Sequence, residues 1–343
     1  MKALIYHGPG ELSVEDREIP KPGPGEVLIK VRAVSVCGSD LGAYKLPEAS
    51  DRWKPPIVLG HEFAGDIAAV GENVKSLKIG QRVAANPILY CGECYYCERG
   101  LINLCARRHS LGTSIGGEAE DGAMQEYFVL REEAVIALDD RVSYTQGALL
   151  EPLAVCYCAA KRGMSPGETA AVIGAGPIGL MIIKFLKAQG VKSVFASDIS
   201  DVRLGFAQRY GAVGINVKNE SLDAKIMEMT DGIGVDRIII AADTPTAFED
   251  SFKIIRNGGD IVLVALMHRN TTLDPMQLVG RGVSLIGSYM FTTEQREVMR
   301  MIAEGEIFID DLVTSEYSLE DGPEVFKKLC SDGCRDVKVM MNM

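Results

Sequence analysis

The sequence predicts an α/β protein of two domains, a β-rich and turn-rich first part and a doubly wound second part built on a parallel sheet. Three observations predict it. The chain has 343 residues, more than one hydrophobic core usually organises. Its first 150 residues fall into short strand-like stretches punctuated by glycine and proline. After Glu151 short apolar runs alternate with helical stretches, the pattern of βαβ units.

In the first part, Val27 to Val36 alternates with the strand period and ends at Cys37, where a strand meets a loop. Glycine and proline cluster at Pro20–Gly25, Gly60–Gly71 and Gly112–Gly122 and mark turns. In the second part, a strand at Ala170–Ile173 leads through a glycine loop into a helix from Ile178 to Ala188. Strand Ser193–Ser197, helix Asp201–Tyr210 and strand Val213–Val217 follow. Further strands are expected at Arg237–Ala241, Asp260–Ala265 and Val283–Gly287, separated by helical patterns. From Tyr289 the tail mixes a helix, Thr293–Ala303, with a strand-like end, Val337–Met341.

Composition narrows the function. The chain is 47% hydrophobic and 24% charged, with net charge −11 and no basic stripe. That makes it a poor partner for nucleic acid or an anionic membrane. The N-terminus becomes charged before any apolar stretch long enough for a signal peptide, so a cytoplasmic location is the expectation. The longest apolar run, Thr169–Ile183, is broken by Gly-Ala-Gly-Pro and too short to span a bilayer. Nine cysteines, an odd number, disfavour a disulfide framework and direct attention to thiol or metal chemistry.

Gly174-Ala-Gly176-Pro177-Ile178-Gly179 follows a strand and opens a helix. Such a loop lets a pyrophosphate approach the backbone and sit on the free N–H groups of the helix terminus. Asp198 closes the next strand, 19 residues after Gly179, where a carboxylate would hold ribose hydroxyls and repel a 2′-phosphate. Dinucleotide binding in a Rossmann-type domain follows, with NAD preferred. The contacting candidates are Gly174, Gly176, Pro177, Ile178, Gly179, Asp198, Ile199 and Arg203, the last equally readable as a solvated helix arginine.

Cys91, Cys94, Cys97 and Cys105 lie within 15 residues. Four soft ligands at short spacing suit a closed tetrahedral zinc site that pins a loop, a structural role. A second set is scattered: Cys37-Gly-Ser39-Asp40, Gly60-His61-Glu62 and Glu151-Pro152 each place a metal-ligand residue type near a turn. Thiolate, imidazole and carboxylate together suit a catalytic zinc with an open position. Singly, His61 reads as a satisfied buried histidine, Cys37 as a small core residue and Glu151 as a helix N-terminal charge. Residue chemistry leaves both readings open.

Gly60-His61-Glu62-x2-Gly65-x5-Gly71-x2-Val74, the cysteine spacing and the glycine loop together resemble the zinc-containing alcohol dehydrogenases of the medium-chain dehydrogenase/reductase superfamily. The resemblance covers essentially the whole chain. It is nearest to sorbitol (polyol) dehydrogenases, with galactitol-phosphate, 2,3-butanediol and threonine dehydrogenases close by. Glu151, in Gly147-Ala-Leu-Leu-Glu151-Pro-Leu-Ala, is the polyol-type feature, since alcohol dehydrogenases of the better-known type carry cysteine there.

The resemblance implies a GroES-like catalytic domain, residues 1–150 with 288–343, around a Rossmann domain, 151–287, and an active site in the cleft between them. It implies two zinc ions and NAD per subunit and a homodimer or homotetramer. Cys37, His61 and Glu62 would ligate the catalytic zinc, and Glu151 would ligate it directly or through water. Asp40 would fix the His61 tautomer, and Ser39 would take the alcohol proton. The implied reaction oxidises a secondary alcohol of a polyol or sugar-like molecule to a ketone, with hydride passing to NAD. Butanediol, threonine and polyol-phosphate oxidation are the alternatives within the family, and a non-catalytic cofactor-binding protein is the alternative outside it.

Two departures stand out. Many relatives carry a relay histidine where this chain has Gly42. Sorbitol dehydrogenases carry an arginine in the segment matching Tyr289-Met290-Phe291, which has none here and so counts against sorbitol itself. Trp53 and Tyr44 are pocket candidates, although loop aromatics more often simply pack. Cys156, Cys158, Cys330 and Cys334 read as incidental thiols, and His109 and His268 carry no motif.

Overall fold

The computed structural model describes all residues except 47–51, 164–167, 268–269 and 332, so His268 lies outside the described residues. The chain forms two compact units, Met1–Pro152 with Gln295–Met343, and Leu153–Glu294.

In the first unit the strand Glu26–Ser35 is the organiser. Its valines and isoleucines are buried on both sides of the pleat, and it pairs with three other strands. The seven-stranded sheet runs Val135–Ala137, Arg82–Ala85, Glu62–Val70, Glu26–Ser35, Lys338–Asn342, Val313–Ser318, with Tyr127–Arg131 also on Glu26–Ser35. The C-terminal strand is antiparallel to Glu26–Ser35, with Met340 opposite Ser35 and Met341 opposite Val34. The tail therefore returns to the β-rich part. A core of Leu4, Val31, Phe63, Ile67, Val83, Phe128 and Phe326 closes the sheet faces.

The second unit is a six-stranded parallel sheet ordered Val213–Asn216, Ser193–Asp198, Thr169–Ile173, Val235–Ile240, Ile255–Leu263, Ser284–Gly287. The chain starts at the central strand Thr169–Ile173, adds two strands on one side and then three on the other. That reversal creates a switch point at the carboxyl end of the first strand, where ligands bind in open α/β sheets. The strands are near-continuous apolar runs, as a sheet covered on both faces requires. The sequence expectation of an α/β fold with a doubly wound parallel sheet holds, and strand ends differ from it by one to a few residues. Ile255–Leu263 is the longest departure, extending five residues further towards its N-terminus than the expected Asp260–Ala265. Its Gly258-Gly259 pair hid that extension. No helix among the described residues is long and apolar enough to cross a membrane.

Candidate metal centres and dinucleotide site

Sheet register assembles the first centre. Ser35 pairs with Glu62 across the antiparallel strands Glu26–Ser35 and Glu62–Val70. Continuing that pairing past the strand ends sets Val36 opposite His61 and Cys37 opposite Gly60, so Cys37 and His61 are diagonal neighbours. Cys37 is also the N-cap of helix Gly38–Lys45, and the Asp40 Oδ2 accepts its backbone N–H at 3.0 Å. The segment before His61 is held by a second backbone ladder. Gly122 N–H donates to the Val58 carbonyl at 2.7 Å and Ala123 N–H to that of Gly60 at 2.8 Å. A Cβ on Gly122 would lie 2.6 Å from the Leu59 carbonyl carbon, so only glycine lets the two backbones meet.

These constraints bring the Cys37 Sγ, a His61 ring nitrogen and a Glu62 carboxylate oxygen within 4.8 Å of one another. Glu151 enters from the first turn of helix Leu150–Ala160 and is buried, close enough for its charge to act on both His61 and Glu62. Asp40 is fully buried, and its Oδ1 lies 3.7 Å from His61 Nδ1, an ion-pair contact too long for a hydrogen bond. Burial pulls the His61 imidazolium down, yet the charges of Cys37, Asp40 and Glu151 outweigh it and leave the group well above its usual range. Burial likewise pushes both Glu151 and Asp40 up.

A thiolate, an imidazole and a carboxylate converging in a buried site are the donor chemistry of zinc. The orphaned Nδ1 and Oδ1 fit a histidine whose other nitrogen faces a metal. Ser39 is half-buried in the first turn of the same helix. At Gly42 a Cβ would meet nothing within 4 Å, so the place of the relay histidine is open space.

The sequence reading missed two groups here, Lys338 and Ser35. Lys338 Nζ sits 2.5 Å from Glu62 Oε2 and donates to the Val36 carbonyl at 3.0 Å. Ser35 Oγ donates to the same Oε2. A lysine inside the apolar run Val337–Met341 was the available signal, because a strand buried on both faces has no place for a solvated ammonium.

The second centre is the cysteine lobe. Its Sγ–Sγ separations are 3.5 Å (Cys91–Cys105), 3.6 Å (Cys94–Cys97), 3.8 Å (Cys94–Cys105) and 3.9 Å (Cys91–Cys97). A tetrahedron of thiolates about 2.3 Å from zinc has edges of about 3.8 Å. Backbone N–H groups of Cys91 and Arg107 point at Cys105 Sγ, at 3.5 and 3.3 Å. Those of Cys97 and Ala106 draw the Cys94 thiol below its usual range.

In the second unit, Gly174 has φ +97°, and a Cβ on Gly179 would overlap the Gly174 carbonyl oxygen. The loop therefore has its tight turn and close helix packing only with glycine at both places. Gly176 caps helix Pro177–Ala188, whose first position is Pro177, followed by Ile178. Asp198 is fixed by two backbone donors, Ala175 N–H to Oδ2 and Ser200 N–H to Oδ1, both at 2.9 Å. Arg203 Nη1 lies 3.8 Å from Asp198 Oδ2, and Ile199 is exposed beside it.

The remaining candidates pack. Tyr44 meets Phe326 edge-on at 5.7 Å, Trp53 belongs to the core, and His109 faces Glu120 at 3.4 Å. A surface cleft of about 370 Å³ bounded by His7, Glu15, Arg17 and Asp121 contains no metal-site residue. Its charges are already paired, His7 with Glu15 at 2.8 Å and Arg17 with Asp121 at 2.7 Å.

A parallel dinucleotide-type sheet joined to a unit with two zinc-type donor sets defines a metal-dependent dehydrogenase. Residues 23–140 match the family described as Alcohol dehydrogenase GroES-like domain, and residues 177–304 match Zinc-binding dehydrogenase. Sorbitol dehydrogenase of Bacillus subtilis is 33% identical over 345 residues, covering 99% of this chain and 97% of the relative. D-arabitol-phosphate dehydrogenase of Enterococcus avium is 34% identical over 354 residues, with 99% and 97% covered. The crystal structure of 2R,3R-butanediol dehydrogenase from Bacillus subtilis superposes with a TM-score of 0.90 at 31% identity, covering 100% of this chain and 99% of that one.

The chain belongs to the zinc-dependent alcohol dehydrogenases of the medium-chain dehydrogenase/reductase superfamily. It is an oxidoreductase that uses zinc and a nicotinamide cofactor on a small-molecule alcohol.

Proposed function

We propose that this enzyme oxidises a secondary alcohol of a polyol or sugar-like substrate to the ketone, with NAD as hydride acceptor. The observation that carries the reading is the convergence of Cys37, His61 and Glu62 within 4.8 Å, with buried Glu151 in the place of a cysteine ligand. In this reading Cys37, His61 and Glu62 hold the catalytic zinc, and Glu151 joins them directly or through water. Cys91, Cys94, Cys97 and Cys105 hold a second zinc that pins their loop.

The bound zinc would polarise the alcohol oxygen as a Lewis acid. Asp40 keeps His61 oriented. Ser39, in the first helical turn after Cys37, accepts the hydroxyl proton as its own passes to water, for which the absence of a side chain at Gly42 leaves room. The glycine loop and helix terminus hold the pyrophosphate, and Asp198 holds the adenosine ribose and disfavours NADP. Bound NAD would accept the hydride of the carbinol carbon, so that the alcohol would lose one hydride and one proton in all.

The test is a panel of polyols, polyol phosphates, butanediols and threonine with zinc-loaded enzyme and NAD, followed by NADH absorbance. One strong polyol-class response is expected. In Cys37→Ser, turnover should vanish while NAD binding survives, and retained turnover would remove the zinc assignment. A silent panel with intact NAD binding would overturn the polyol reading.

A further inference from the structure

The C-terminal strand reaches further into the first centre than a structural strand needs to. Met340 pairs with Ser35, and Val36 N–H donates to the Val339 carbonyl at 3.0 Å. One further step of that antiparallel register sets Lys338 across from Cys37. The Lys338 side chain is only 4% exposed and that of Glu62 only 1%. Burying an ammonium this completely is strongly unfavourable unless a partner charge and hydrogen bonds compensate. Here both are present, in Glu62 Oε2 at 2.5 Å and the Val36 carbonyl at 3.0 Å.

The charge count gives the pair a purpose beyond packing. A Cys37 thiolate, Glu62 and Glu151 carry one negative charge more than a divalent cation neutralises, and both carboxylates are buried. An ammonium fixed on Glu62 offsets that excess among the ligands and leaves buried Asp40, behind His61, as the one further carboxylate. Both observed bonds to this carboxylate, from Lys338 and from Ser35, fall on Oε2, which orients Oε1 as the oxygen left for a metal.

We propose that Lys338 is the built-in counter-charge of the catalytic zinc centre and the positioning residue that fixes Glu62 as a one-oxygen ligand. The proposal rests on the zinc reading of Cys37, His61 and Glu62. It carries a sign that a packing role lacks: a fixed cation beside the site repels the metal, so removing it must tighten metal binding while weakening the metal-free fold.

The test titrates cobalt(II) into full-length enzyme whose cysteine cluster is left filled with zinc, reading the visible cobalt spectrum and competition with a chromophoric chelator. Lys338→Met should bind the second metal at least about tenfold more tightly than wild type and melt at a lower temperature when that metal is absent. Lys338→Arg should restore wild-type affinity. In Glu62→Gln the lysine stays unpaired, so this variant should bind most weakly, and Glu62→Gln with Lys338→Met should recover at least tenfold. That second comparison decides the matter if Lys338→Met alone does not fold. Unchanged or weaker binding in Lys338→Met, or equal binding in the two Glu62→Gln proteins, would overturn the counter-charge. A wild-type enzyme that takes up no second metal would instead remove the zinc reading beneath it.

Discussion

Replacing Asp198 by asparagine should change which dinucleotide the enzyme selects. The carboxylate is 7% exposed and held by Ala175 and Ser200 N–H groups at 2.9 Å each, so it presents one fixed charge at the end of strand Ser193–Asp198. An ionised acceptor contributes about 1 kcal/mol more per hydrogen bond than a neutral one. NAD affinity should therefore fall roughly five- to tenfold. A 2′-phosphate brought to about 4 Å of the carboxylate would meet a repulsion of about 4 kcal/mol at an effective dielectric near 20. Solvent at the adenosine end leaves about half of that, so NADP should gain roughly thirtyfold. The NAD-to-NADP preference should thus drop by about two orders of magnitude. Equilibrium titration of NADH and NADPH, followed by their own fluorescence, measures both constants on one protein. If both affinities fell together, the asparagine would have disordered the loop, and the charge argument would fail. A ratio that moved less than threefold would refute it outright.

Three further outcomes follow from the geometry. Gly122→Ala should cost on the order of 3 kcal/mol and deplete the first centre of zinc, because the new methyl meets the Leu59 and Gly60 carbonyls; calorimetry with metal analysis reads both, and normal zinc content with normal stability would contradict the close packing. Cys94→Ser should lower the zinc content from two to one per chain and open the loop from Cys91 to Cys105 to protease, so unchanged stability would count against a structural metal there. Asp236→Asn should destabilise the second unit by about 2 kcal/mol at pH 7, since Asp236 accepts from Thr169 N–H at 2.6 Å and Arg256 Nε at 2.6 Å. Burial pushes that carboxyl up, but the Thr169 and Arg256 donors outweigh it and hold it below its usual range. Its contribution is then complete above the unfolded-chain value of about 3.9 and disappears as pH falls through the folded value. Amide exchange in Thr169–Ile173 should show the full wild-type advantage at pH 7 and a progressively smaller one as pH falls below about 3.9; an advantage that stayed constant down to the lowest pH at which the fold survives would exclude the charge as its source.

The cofactor half was open to sequence reasoning because its chemistry is local. Gly174, Gly176, Gly179 and the helix they open lie within a few residues, and Asp198 ends the very next strand of a βαβ unit with fixed handedness. The cysteine lobe was equally direct, since four ligands within 15 residues need no tertiary knowledge to be brought together. Strand ends differ from expectation by one to a few residues, without effect on any of these positions.

The first centre is the opposite case. Its groups come from 37, 61–62, 151 and 338, and what joins them is register: Ser35 opposite Glu62 and Met340 opposite Ser35. Register depends on which strands pair, and an apolar run does not announce its partner. Residue types alone therefore left Cys37, His61 and Glu151 each with an innocent reading, and resemblance had to unite them. Lys338 carried no motif at all, yet its type was informative. A single cation in a strand buried on both faces requires a buried anion nearby, and that anion must itself be held for some reason other than solvation. In this chain the demand runs from Lys338 to Glu62 and from Glu62 to a site facing Cys37 and His61. Followed in that direction, one misplaced charge in the last ten residues leads to the metal centre from a starting point outside the family's signature.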